Sequence, residues 1–166
     1  MKKLVAVMSK VEKILTIIEA YLSGAMLLFV TLITSYFAIG RKFFETPPLG
    51  LDELARYMIP VIVMFGAGVA IRNRGHITAG GMELFIKNKK ALYYFQLAVD
   101  LFLVAMTLIL AYAAWRRYAM VLMVPQKTTT LYMPFKYLEL PIVVGITLWL
   151  FQFILQFFKD LIKKPE

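Results

Sequence analysis

The chain has no cysteine and a single histidine, His76. Without thiols it forms no disulfide, holds no iron–sulfur cluster and offers no cysteine nucleophile. One histidine in a connector cannot supply the facing axial ligands of a membrane haem. No second ligand stands at metal-binding spacing from it either. Acidic residues are scarce, 10 against 19 lysines and arginines. No glycine-rich loop leads from a strand into a helix, which excludes phosphate cradles of the P-loop kind. With no recognisable pair of nucleophile and base, we expect neither an enzyme nor a cofactor of its own.

Apolar residues are what the chain has in abundance. They make up 61% of it and charged residues 17%, against roughly 45–50% and 25% in soluble domains. The mean hydropathy is +0.73. Four apolar runs dominate: Ile14–Ile39, Leu54–Ile71, Ala91–Trp115 and Leu138–Phe158. A hydrocarbon core about 30 Å thick is crossed by about 20 helical residues. The runs are apolar nearly all round and lack the short strict alternation of barrel strands. The expected fold is an all-α membrane protein of four long, tilted transmembrane helices, a single domain over residues 1–166.

The net charge of +9 reads as topology rather than as affinity for nucleic acid. Lys2, Lys3, Lys10 and Lys13 precede the first run. Arg72, Arg74, Lys87, Lys89 and Lys90 lie between the second and third, and Lys159, Lys163 and Lys164 follow the fourth. With four spans these segments share one side, and the positive-inside rule places both termini in the cytoplasm. Met1-Lys-Lys before an apolar run resembles a signal peptide, but the run is too long and no small-residue cleavage site follows. The first span is expected to be retained, in a helix from about residue 10 to 40 with Lys10, Glu12 and Lys13 at its wet end.

Several polar residues stand out along the spans. Glu19 falls one to two turns inside the first. Asp52 is placed to cap the second helix with Glu53 beside its positive end, and a salt bridge from one of them to Arg56 is expected. Pro60 should loosen that helix, and Gly66-Ala-Gly68 should let a neighbour approach closely. Met82–Lys87 reads as a short interfacial helix. Tyr93 and Tyr94 mark one headgroup belt, Trp115 and Tyr118 the other. Asp100 lies about two turns inside the third span, where a carboxylate must be paired, protonated or facing water. It reads either as a proton or cation site or as an inter-helix or inter-subunit hydrogen bond, with Gln96 within reach. Val124–Pro134, with its Thr128–Thr130 run, reads as an extended, solvated outer loop.

Three segments carry a resemblance: Leu51-Asp-Glu-Leu-Ala-Arg-Tyr57, then Gly66-Ala-Gly-Val-Ala-Ile-Arg-Asn-Arg-Gly-His-Ile77, then Thr130-Leu-Tyr-Met-Pro134. In order and position they resemble the small membrane subunit of TRAP (tripartite ATP-independent periplasmic) transporters. The family shares the acidic-Glu-Leu-x-Arg entry to its second span. The resemblance implies a non-catalytic inner-membrane scaffold subunit. Its partners would be membrane lipids, a large multi-span permease and a periplasmic substrate-binding protein. It implies sodium-coupled uptake of an organic acid of the C4-dicarboxylate or sialic acid class, with the sodium held by the large subunit. Arg41, Lys42, Asp52, Glu53 and Arg56 become candidate contacts to the binding protein or braces of the outer face. Glu19 and Asp100 become candidate buried contacts between helices or subunits. The alternative is an autonomous four-helix proton-coupled transporter using Glu19 or Asp100.

Overall fold

The structure, a computed structural model, describes residues 2–43, 50–72 and 88–162. Four helices account for nearly all of them: α1 (Lys2–Phe43), α2 (Leu51–Arg72), α3 (Lys89–Met123) and α4 (Phe135–Ile162). Each is long and apolar enough to cross a membrane. The expected all-α architecture of four spans is therefore present. The interfacial helix expected at Met82–Lys87 and the His76 connector lie outside the described residues.

Every helix is longer than its apolar run, because a helix does not stop where lipid stops. α1 has 42 residues, about 63 Å at 1.5 Å per residue, twice the hydrocarbon thickness. It begins well before the expected residue 10, since nothing between Lys2 and Ser9 breaks a helix. α3 starts at an N-cap, the Asn88 side chain accepting from the Lys90 amide at 3.1 Å. It ends at Val124, whose extended backbone is what the following Pro125 demands. Arg116 and Arg117, just beyond the apolar run that ends at Trp115, are thus helical. Pro60 and Pro141 lie inside α2 and α4, and both helices continue through them.

The helices form two hairpins set side by side. α1 packs on α2, α3 packs on α4, and α2 packs on α4, while α1 meets α4 only lightly. The order across the molecule is therefore α1, α2, α4, α3, with α1 and α3 on the flanks. The flanking helices bury a smaller share of their membrane stretch than the central pair. The core is correspondingly thin, and Val61, Phe65 and Ile71 of α2 and Val143, Ile146 and Phe153 of α4 are among its buried residues. α2 and α4 meet where Gly145 lies against Met64. A Cβ on Gly145 would come within 2.7 Å of the Met64 Cβ. Trp149 donates its indole N–H to the Met64 carbonyl at 2.5 Å.

Candidate functional site

Two groups of polar side chains stand out against this apolar frame, one at each end. The first is a buried seam between α1 and α4. Glu12, Thr16 and Glu19 recur at intervals of four and three, so they share one face of α1. Gln152, Gln156 and Lys159 repeat the same spacing on α4. The two helices run antiparallel, and the faces meet in register. Lys159 pairs with Glu12, and the Gln152 amide donates to Glu19 Oε2 at 2.7 Å. Thr16, between the two carboxylates, donates its hydroxyl to the Glu12 carbonyl at 2.8 Å. Glu12, Thr16, Glu19, Gln152 and Gln156 are all buried. Glu19 Oε1 and the side-chain oxygens of Gln152 and Gln156 have no hydrogen-bond partner among the described residues.

Glycine makes room for this seam. A Cβ on Gly68 of α2 would lie 2.6 Å from Glu19 Cδ, whereas one on Gly66 would meet nothing within 4 Å. The close approach expected of Gly66-Ala-Gly68 thus falls on Gly68 alone, and what approaches is a carboxylate from α1.

Asp100 is buried on α3, on the flank opposite the helix that carries Glu19. The structure therefore does not bring the two carboxylates together on packed helices. No cluster of three or more His, Cys, Asp or Glu side chains able to hold a metal occurs among the described residues. α3 is pinned to α4 by Tyr93, whose hydroxyl donates to the Asp160 carbonyl at 3.2 Å. It is pinned again by Trp115, whose indole donates to Thr147 Oγ1 at 3.2 Å, and by a 2.7 Å ion pair between Arg117 and Glu139.

The second group is a clasp at the other end of the bundle. The α3–α4 connector is largely exposed, as expected of a solvated loop, but it is a closed turn rather than an extended one. The Thr128 amide donates to the Met133 carbonyl at 2.9 Å and the Phe135 amide to the Gln126 carbonyl at 3.0 Å. Thr128, buried at 2% exposure, accepts the Met133 amide on its hydroxyl at 3.0 Å. Tyr132 closes the turn with φ of 53°, a left-handed backbone that non-glycine residues seldom adopt. This geometry turns three successive N–H groups outward, and Glu53 of α2 receives them all. Thr129 donates at 3.0 Å, Thr130 at 2.9 Å and Leu131 at 3.0 Å. Gly50, with φ of 100°, lies beneath Leu131, whose Cδ2 would be 3.0 Å from any Cβ placed there. Tyr57 and Phe135 meet edge to face at 5.6 Å.

Glu53, one of the two carboxylates expected to pair with Arg56, thus accepts three backbone bonds from the distant turn. Successive backbone N–H groups in a turn form a concavity that suits an anion such as this carboxylate. Arg41, Lys42 and Arg56 are exposed at the same end. Asp52 lies in α2, but its side chain is outside the described set. Sequence reasoning missed Glu12, Thr16, Gln152, Gln156 and Lys159. The matched spacing on α1 and α4 was the available signal.

A row of four helices, each long and apolar enough to cross a membrane, defines a small multi-pass membrane protein. The family model for the DctQ component of tripartite ATP-independent periplasmic transporters matches residues 10–163. The chain belongs to that family and is a small membrane subunit of a TRAP transporter. No curated protein matches it. Two of the segments that carry the resemblance, around Leu51–Tyr57 and Thr130–Pro134, are the two halves of the clasp.

Proposed function

We propose that this subunit is a static, non-catalytic scaffold that braces a large permease subunit against the membrane. The transport assembly would take up an organic acid of the C4-dicarboxylate or sialic acid class. Uptake would be driven by sodium bound on the large subunit and fed by a periplasmic binding protein. Both termini face the cytoplasm on the charge asymmetry of the connectors, so the clasp faces the periplasm. Glu53 braces that face, and Arg41, Lys42, Asp52 and Arg56 stand around it.

The observation that carries this reading is the fastening of the two hairpins at both ends. At one end Glu12 is tied to Lys159 and Glu19 to Gln152. At the other Glu53 is tied to the α3–α4 turn. A transport site needs polar groups that change partners near the midplane. Here Glu19 is held by Gln152 and pressed on Gly68, which favours a brace over a carrier. The flanking helices, meanwhile, offer long apolar faces suited to lipid or to a larger membrane partner.

Reconstitution tests this directly. The chain alone in proteoliposomes should give no uptake. The same chain with its large subunit and binding protein should give sodium-dependent uptake of an organic acid. Proton-coupled flux by the chain alone, abolished by Glu19→Gln or Asp100→Asn, would overturn the proposal in favour of an autonomous transporter.

A further inference from the structure

One feature outside both polar groups is an open groove of about 330 Å³ between the end of α1 and the start of α2. Thr34, Phe37 and Arg41 line it from α1, and Ala55, Arg56 and Ile59 from α2. None of the described residues lining it is acidic. The Thr34 hydroxyl is used within its own helix, donating to the Val30 carbonyl at 2.8 Å, so the groove below the arginines is apolar in character. Arg41 lies seven residues beyond Thr34, about 10 Å further along the axis at 1.5 Å per residue.

We propose that this groove binds an anionic phospholipid of the bilayer, its phosphate between Arg41 and Arg56 and one acyl chain along Thr34, Phe37 and Ile59. The match is one of charge and of layering. A phospholipid carries its phosphate directly above an apolar chain, and the groove is lined by two arginines and, further along the same helices, by Thr34, Phe37 and Ile59. Guanidinium groups bind phosphate oxygens through paired N–H donors, and basic pockets between membrane helices hold anionic headgroups. Arg56 has a partner within the chain, but a guanidinium has five N–H donors, so one partner does not exhaust it. A carboxylate from a soluble protein would satisfy the arginines and leave the groove below them empty. The site depends on membrane insertion and not on the scaffold role.

The test uses the full chain in nanodiscs of phosphatidylcholine with a minor fraction of phosphatidylglycerol. Spin-labelled phosphatidylglycerol and spin-labelled phosphatidylcholine report the lipids held at the protein. The unmodified chain should hold phosphatidylglycerol in preference. Arg41→Gln and Arg56→Gln should each reduce that preference about fivefold, the equivalent of about 1 kcal/mol per basic residue near an anionic surface. Lys127→Gln, at the same end but outside the groove, should leave it unchanged, as should added inorganic phosphate. Helical circular dichroism of each variant shows that it is folded. Equal preference in the chain and both arginine variants overturns the proposal. So does displacement of the lipid by inorganic phosphate. A third overturning result is that the arginine substitutions leave lipid retention intact but weaken co-purification with the large subunit, which would assign the groove to a protein partner.

Discussion

Glu53 and Leu131 stand 78 positions apart in the chain and 3.0 Å apart in space, joined by a backbone amide on a carboxylate oxygen. With the neighbouring amides of Thr129 and Thr130, this contact fastens the start of α2 to the turn between α3 and α4. The link is made from a side chain to a backbone, so it specifies the conformation of the turn as well as its position.

Glu53→Ala should therefore open the clasp. Amide hydrogen exchange at Thr129, Thr130 and Leu131 should accelerate, while exchange in the middle of α3, around Ala111, stays slow. Glu53→Gln should have a smaller effect in the same direction, because one amide oxygen can still accept. Unchanged exchange in both variants would show that the turn holds itself.

The glycines give a sharper contrast. Gly68→Ala places a methyl group against the Glu19 carboxylate, and Gly145→Ala places one against Met64. Each should destabilise the protein by about 1–3 kcal/mol, the usual cost of overpacking. Gly66→Ala meets open space and should be neutral, or stabilising by up to about 1 kcal/mol through helix propensity. Unfolding in mixed detergent micelles measures all three. Equal effects at Gly66 and Gly68 would contradict the packing described.

For the ion pair between Glu12 and Lys159, removing one partner should cost more than removing both. Lys159→Met leaves Glu12, whose side chain is only 7% exposed, without its counter-charge, at an expected cost of about 3 kcal/mol. Adding Glu12→Gln to that variant should recover most of the loss. A double variant no more stable than Lys159→Met alone would mean that the pair contributes nothing specific.

A double-mutant cycle on Glu19→Leu and Gln152→Leu isolates the contact between α1 and α4 deeper in the seam. The coupling energy should be about 0.5–2 kcal/mol, the range measured for hydrogen bonds between membrane helices. Additive effects of the two substitutions would remove this bond from the fastening of the hairpins.

Much of the fold was legible because its causes are local. Four long apolar runs leave a chain in lipid no option but helices, since each backbone N–H and C=O must be satisfied within its own segment. Helix ends were less legible. α1 extends back to Lys2 and α3 forward to Met123 because charged residues leave lipid without leaving the helix. The site was legible only as residue types. Glu19, Glu53 and Asp100 were conspicuous as acids near or inside apolar runs, whereas Gln152 and Gln156 look unremarkable in sequence and Glu12 looks like a residue at a wet helix end.

The sequence by itself determined that this protein spans a membrane four times, that it belongs among the small TRAP subunits, and that it has no cysteine chemistry. Composition and short motifs suffice for that, because transfer into lipid is decided segment by segment. Only the tertiary structure decided the partners: Glu53 with a turn some 76–78 positions away, Glu19 with Gln152, Glu12 with Lys159, and Gly68 rather than Gly66 at the close approach. Which group a buried carboxylate meets depends on which helices pack and in what register. Side chains from several distant segments set that choice together.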